Sequence, residues 1–504
     1  MASVIVIGGG VAGLTSAIYL KKQGFDVTVY EKSHVVGGNL TGWKKDGFLI
    51  DNCIHWLTGT NPVTKQYKIW KETGILDDAV TYQQDSLYVS ELDGREVPLS
   101  VNPDFTLKKM LDVSPEDKKE IVSFIRAVKS VRKAMGISGK NHDNPSTFLI
   151  RAAAMPYIIK YHSMTLGELA DRFRHPLLKN FFTDFIGAPF SALALIMAFA
   201  NFAGENGGLI EGGSFKAASG IKKRLLDLGG KIETNKTAVK AEIADGKVSS
   251  VEFEDGEIAS ADYYVFATDL DTSFNKLLRR PKPRGVVRCE KDSLALRFSA
   301  FHAAIGVDAN ALPFKGTRVI PVSDKLGKIL GSDRLKLREF SHEKYYSPDG
   351  RNLIQTLSFL TEDEAKKFIE LYNADKEKYN ELKTQICSAQ IKAIESFYPE
   401  LSGKLFIVDS WSPATYNRFL GSKNGEFMAY SLPPLKLPKI AGSKIAGVKN
   451  ASLASQWQML PGGLPCASRA GKKAAEFIIK KHAKSENFIF ARIIKRVLYR
   501  AQKS

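Results

Sequence analysis

Three glycines, Gly8, Gly10 and Gly13, stand at the G-x-G-x-x-G spacing, and a carboxylate, Glu31, follows 18 residues after the last of them. Such glycines let a chain turn tightly, bring its backbone close to a pyrophosphate and pack a helix closely on a strand. The acid at that distance can accept hydrogen bonds from ribose hydroxyls. A second candidate for chemistry is His55, a titratable ring inside the apolar run "DGFLIDNCIHWLTG" at 46–59. It is either a satisfied core histidine or a group placed beside a reaction, where an imidazole can exchange a proton near neutral pH.

The elements that must position these groups can be read from periodicity. Residues 4–7 make a buried parallel strand, Leu14, Ala17, Ile18 and Leu20 give one apolar helical face, and 26–30 form a second strand ending at Glu31. Strand, glycine loop, helix and strand predict a dinucleotide site, with the helix N-terminus offering N–H groups and positive dipole to phosphate. Its backbone contacts are expected from Gly8, Gly10, Val11, Ala12 and Gly13, with Glu31 and Lys32 at the end of the second strand. A middle piece, 205–280, reads as a helix over 217–228 and strands over 231–234, 238–243, 248–253 and 263–267, with turns at "ADGK" and "EDGE". Near the C-terminus a short strand at 451–454 is followed by a Pro-Gly-Gly loop, Pro461, Gly462 and Gly463. A helix rich in small residues then opens near Pro465. Proline in a first turn and small residues along one face suit a helix that aims its N-terminus at a ligand.

Gly37 and Gly38, shortly after the acidic residue, resemble the second glycine pair of glutathione-reductase-type flavoproteins, which favours FAD over NAD. In amine oxidases and phytoene desaturases an arginine usually follows that pair; here Asn39 does, a donor without charge. The segment "DSWSPATYNRFLGSKNGEF" at 409–427 is similar to the Thr-Pro-x-Thr-x-x-Arg stretch of the same proteins, with Ser412 at the first threonine. Over most of 1–480 the chain resembles the phytoene desaturase, carotenoid isomerase and retinol saturase group of FAD-dependent oxidoreductases. "DNCIHWLTG" is closer to the isomerase and saturase branch.

That resemblance implies an α/β fold. A glutathione-reductase-type FAD-binding domain would be built from discontinuous segments 1–94, 205–280 and 401–480, with a mixed α+β substrate domain from 95–204 and 281–400, and a basic tail at 481–504. It implies non-covalent FAD held also by Val239, Trp457, Leu464 and Pro465, with Asn39, His55 and Trp56 on the flavin side. It also implies hydride exchange at flavin N5 with carbon–carbon bonds of a long apolar polyene. His55 is the candidate acid/base, with a structural or cofactor-contacting role as its alternative; Tyr416, Arg418 and Trp457 are candidates for shaping the pocket. A flavin amine oxidase would need an aromatic cage, for which Trp411 and Tyr416 are the available rings. A fatty-acid double-bond isomerase and a flavin-binding membrane protein without turnover complete the alternatives.

Composition sets the remaining bounds. With 504 residues, two or three subdomains are expected, and 44% hydrophobic and 25% charged residues suit an ordinary folded chain. Four scattered cysteines show no metal-like spacing and point to a reducing interior, so the cytoplasm is the expected compartment. No metal site, HExxH, serine elbow or P-loop is visible. The net charge is +18, and from 480 to 504 eight basic residues face one acid. In that tail Phe490, Ile493, Ile494, Val497 and Leu498 fall on one helical side and Arg492, Lys495, Arg496, Arg500 and Lys503 on the other. The pattern fits a helix in an anionic membrane interface or a terminal helix packed on protein. No nucleic-acid motif accompanies the charge. The twenty uncharged residues 185–204 read as a core helix or tunnel lining, and 146–162 as an apolar element dipping into lipid or an ordinary amphipathic helix.

Overall fold

The computed structural model describes residues 1–77, 79–137, 146–291, 298–429, 431 and 441–501, with the side chains of the last helix described as far as Lys484. The chain divides into two compact units, one of Met1–Gly38, Gly220–Arg288 and Lys439–Ser504, the other of Asn39–Ser219 and Cys289–Pro438.

The first unit is organised by a parallel sheet of five strands. Their order is Lys231–Glu233, Asp26–Tyr30, Ser3–Ile7, Tyr263–Phe266 and Ala451–Leu453. Its strands are short apolar runs, as expected when both faces are covered. The helix Val11–Lys21 follows the first strand, and the long helix Gly463–Ala501 follows the last. The two helices pack at close range: a Cβ on Gly471 would lie 2.2 Å from the Ala12 carbonyl oxygen, so this crossing requires glycine. A three-stranded antiparallel sheet, Ala238–Ala244, Lys247–Phe253 and Ile258–Ala259, joins by the "ADGK" and "EDGE" turns. The helix expected over 217–228 begins earlier, at Gly213, and the terminal helix opens at Gly463 rather than near Pro465. The apolar and basic sides of 488–504 fall on side chains outside the described residues.

The second unit contains a mixed sheet of seven strands. Their order is Leu405–Trp411, Ser299–Asp308, Arg351–Leu360, Arg334–Glu339, Thr317–Pro321, Ser86–Leu92 and Arg95–Ser100. Only the Thr317–Pro321 and Ser86–Leu92 pair is parallel. Phe301, Ala303, Ile305, Leu335, Leu337 and Ile354 point to one face, in a core shared with Ile386, Cys387 and Ile394 of the helix Lys376–Phe397. Strand alternation sends His302, Gln355, Lys336 and Arg338 to the opposite face.

A helical subassembly completes this unit. Lys118–Ala134, Ser146–His162, Pro176–Thr183 and Ala192–Ala203 surround Phe124, Phe173, Phe181, Phe182 and Phe199. Phe124 meets Phe182 edge to face at 5.1 Å, and each buried phenyl contributes about 2–3 kcal/mol of apolar transfer. The uncharged stretch 185–204 is resolved here as the short core helix Ala192–Ala203, capped by Ser191. Among the described residues no helix is long and apolar enough to cross a membrane.

Candidate functional site

In the first unit the glycine loop forms a cradle whose shape its own backbone imposes. Gly8 takes φ +106°, and a Cβ on Gly13 would lie 1.9 Å from the Gly8 carbonyl oxygen, so neither position accepts a side chain. Gly10 is the N-cap of Val11–Lys21, and no side chain caps that helix. The N–H groups of its first turn, at Val11, Ala12 and Gly13, are therefore left for an outside acceptor, which is what a pyrophosphate requires. Glu31 is buried; one carboxylate oxygen accepts from Gly9 N–H at 2.7 Å and the other from Ser33 N–H at 2.9 Å. This fixes the acid against the loop while lone pairs stay available for ribose hydroxyls. Gly37 bonds back through its N–H to the Gly9 carbonyl at 2.8 Å, and Gly10 and Gly37 form a parallel bridge. Lys32 is half-buried, and burial lowers its amine from 10.5.

The C-terminal candidates gather around the start of the long helix. Gly462 and Gly463 both have positive φ, the Gly463 N–H donates to Gln456 Oε1 at 2.9 Å, and Trp457 is buried beside them. Pro461 is exposed, and Leu464 and Pro465 are half-buried in the first turn. Val239 stands on the separate antiparallel sheet, 39% exposed. An uncapped helix start, a cradle closed to side chains and a buried acid beside the loop fit the dinucleotide portion of FAD.

In the second unit, His55 sits in a tight loop between the strands Phe48–Asp51 and Leu57–Thr58. Asp51 organises that loop. Its Oδ1 accepts from the Cys53 and Ile54 N–H groups at 3.0 and 3.1 Å and from Ser214 Oγ at 2.5 Å. Its Oδ2 accepts from Ser214 N–H at 2.8 Å and Tyr346 Oη at 3.2 Å. Arg338 reaches in from the sheet and donates to the Ile54 carbonyl at 2.5 Å, its guanidinium lying 4.4 Å from the Phe340 ring. Close by, Tyr82 donates to Glu343 at 2.6 Å, while the other Glu343 oxygen accepts from Gly212 N–H.

His55 itself does not titrate near neutrality. Burial, then the charges of Arg338 and Lys336, hold it well below 6.5 and favour the uncharged ring at pH 7. An imidazole in a cationic, desolvated setting favours its neutral form. Lys336 is half-buried, donates to the Phe185 carbonyl at 2.9 Å and is brought down to about 8 by desolvation. Trp56 lies against Phe185 at 6.2 Å, at the edge of the aromatic helical core.

A second knot surrounds Asn39. Asn52 Nδ2 donates to both its carbonyl and its Oδ1, at 3.1 and 2.9 Å, and Asn39 Nδ2 donates to the Phe427 carbonyl at 3.4 Å. Tyr416 Oη donates to Asn52 at 3.0 Å and accepts from Trp411 Nε1 at 3.0 Å. Trp411 stacks on His302 at 4.8 Å, nearly parallel; burial takes that imidazole down to about 3, and its Nε2 has no hydrogen-bond partner among the described residues. Trp411 and Tyr416 thus bond to each other instead of standing as two walls of a cage. Ser412, at the family threonine, caps the helix Pro413–Leu420 that carries Tyr416. Arg418 is exposed and lies over the Tyr372 ring at 4.4 Å.

Sequence reasoning missed Asp51, Ser214, His302, Lys336 and Arg338. The only available signal for the last two was the alternation in "RLKLRE", which reads equally well as a strand with one solvated face.

A family model for flavin-containing amine oxidoreductases matches residues 11–479. A 4,4'-diaponeurosporene oxygenase of Staphylococcus aureus (strain USA300) is 25% identical over 305 residues, 56% of this chain and 60% of that protein, so less than two thirds of the relative is spanned. Among solved structures, an oxidoreductase from Methanosarcina mazei aligns with TM-score 0.60 at 13% identity, covering 95% of this chain and 100% of its own. The cyclohexylamine oxidase of Brevibacterium oxydans IH-35A aligns with TM-score 0.57 at 15% identity, covering 96% and 99%. These two likenesses speak for the fold. The chain belongs to the flavin-containing amine oxidoreductase family and is a FAD-dependent oxidoreductase.

Proposed function

We propose that this enzyme acts on carbon–carbon bonds of a long, apolar, conjugated substrate of carotenoid or retinoid type, by desaturation, saturation or isomerisation. The observation that carries the reading is the setting of His55 and Trp56. Trp56 lies against Phe185, whose carbonyl accepts from Lys336, Arg338 donates to the Ile54 carbonyl, and the imidazole beside them favours its neutral form. A cationic amine entering such a place meets like charge, whereas an uncharged polyene does not. Supporting it is the carotenoid named in the Staphylococcus aureus relative.

Bound FAD supplies hydride acceptance or return. In this reading Gly8, Gly10, Val11, Ala12, Gly13, Glu31, Lys32, Gly37 and Gly38 hold the dinucleotide, with Val239, Trp457, Pro461, Gly462, Gly463, Leu464 and Pro465 completing its contacts. Asn39, His55 and Trp56 serve the flavin side. The chain's own work is to hold the substrate, exclude water and keep His55 uncharged, as a hydrogen-bonding group rather than a stored proton. Peripheral contact with a membrane, from the cytoplasmic side, would bring a substrate that water does not carry. The test is mass spectrometry of extractable lipids from cells with and without the gene, paired with anaerobic reduction of the purified flavin by polyenes and by amines. A change in polyenes is expected; unchanged lipids together with amine-driven reduction would overturn the proposal.

A further inference from the structure

A helix that is apolar all round is normally buried. Ser146–His162 is apolar over most of its circumference, broken by Arg151 and Lys160, and lies on the surface. Its inner side is accounted for: Ala154 and Tyr161 are buried, and Tyr157 and Ile158 pack on the aromatic core that also contacts Trp56. Its outer side is not. Phe148, Leu149, Met155 and Ile159 are 76%, 69%, 46% and 60% exposed, Ala152 and Ala153 are exposed between them, and Met197 of the adjoining helix Ala192–Ala203 is 36% exposed. Scattered surface apolar residues need no explanation, but four large ones on a single helix face do.

Charge selects the occupant. The segment 146–162 contains Arg151, Lys160 and His162 and no acid; its packing partner, Lys118–Ala134, adds six basic residues against the single acid Glu120. A second copy of a chain carrying +18 would be repelled, whereas an anionic bilayer attracts such a pair of helices. We infer that the outer face of Ser146–His162 is a membrane-docking surface, inserting Phe148, Leu149, Met155 and Ile159 into the acyl boundary while the basic residues meet anionic headgroups. This deepens the reading of a membrane-served substrate and names the part of the chain that makes the contact. The apolar core behind the helix is continuous as far as Trp56, so the docked face and the substrate-side aromatic residues belong to one body of packing.

The experiment is co-sedimentation of the FAD-loaded full chain with vesicles of phosphatidylcholine containing a minority of phosphatidylglycerol. The triple variant Phe148→Ser, Leu149→Ser, Ile159→Ser should partition about tenfold or more weakly, with flavin content and unfolding midpoint unchanged because all three side chains are exposed. A chain ended at Lys484 should show the same drop on triple substitution, separating this helix from the basic tail. Binding of the triple variant equal to that of the unaltered chain would overturn the inference, as would a lack of vesicle binding by the unaltered chain. A lipid-free dimer in analytical ultracentrifugation, dissolved by the substitutions while vesicle binding persists, would assign the face to a second copy and also overturn it. Polyene conversion in detergent reads the proposed reaction separately and does not depend on docking.

Discussion

Gly213→Ala tests whether Asp51 is the organiser of the His55 loop. Gly213 has φ +49°, and a Cβ there would lie 2.0 Å from Asp51 Oδ2 and 2.1 Å from Tyr346 Oη. The backbone strain alone amounts to about 1 kcal/mol. The clash adds to this, because Asp51 must leave Ser214 N–H and Tyr346, and hydrogen bonds to a buried charge are each worth about 1.5–3 kcal/mol. The expected total is about 4–7 kcal/mol, of which about 3–6 come from Asp51. Gly350→Ala is the control. It has φ +75° with nothing within 4 Å of the added carbon, so it carries the strain without the clash, about 1 kcal/mol. Chemical unfolding of the FAD-loaded enzyme, followed by tryptophan fluorescence, compares the two midpoints. Equal shifts would refute the argument, since the Asp51 contacts would then contribute nothing beyond backbone strain.

Glu31→Gln should retain the fold and lose flavin about tenfold more readily in dialysis, because the weaker acceptor grips Gly9 N–H and ribose less firmly. Unchanged retention would separate Glu31 from the cofactor. His55, His302 and His342 all have lowered pKa values, the last two at about 3 and about 4, so the unfolded chain binds more protons below 6.5. Stability should therefore be full above pH 6.5 and fall as pH drops toward 4, and thermal midpoints across that window check the sign. His55→Gln should lower turnover with flavin content intact; equal loss of both would mark a structural role. Tyr416→Phe removes the acceptor of Trp411 and the donor to Asn52 and should lower stability by about 1–2 kcal/mol; a midpoint shift near zero would count against that relay.

The parallel sheet of the first unit was legible because its signals are local. Buried four- and five-residue strands, glycines at fixed offsets and a helix of regular apolar period all lie within thirty residues of one another. Glu31 could be placed by counting. The groups around His55 could not. Ser214 lies 163 residues from Asp51, and Arg338 lies 284 from Ile54, so no spacing rule connects them. In the sequence Leu335 and Leu337 alternate with Lys336 and Arg338, a pattern shared by strands with one solvated face. In the fold Arg338 is buried and Lys336 half-buried, and desolvation of His55 beside these charges favours its neutral ring. Asn39 shows the reverse case. Its departure from arginine was visible at once, but its partners Asn52 and Phe427 emerged only from the structure.

The first unit is assembled from three stretches of chain, and the edge strand Ala451–Leu453 belongs to the last of them. During synthesis the nucleotide cradle at 8–38 leaves the ribosome hundreds of residues before the strand that completes its sheet. Contacts of such long sequence separation form late and slowly. Completion of this sheet therefore waits for the last stretch of chain, and a chain interrupted before residue 451 leaves the strand Tyr263–Phe266 as an open sheet edge.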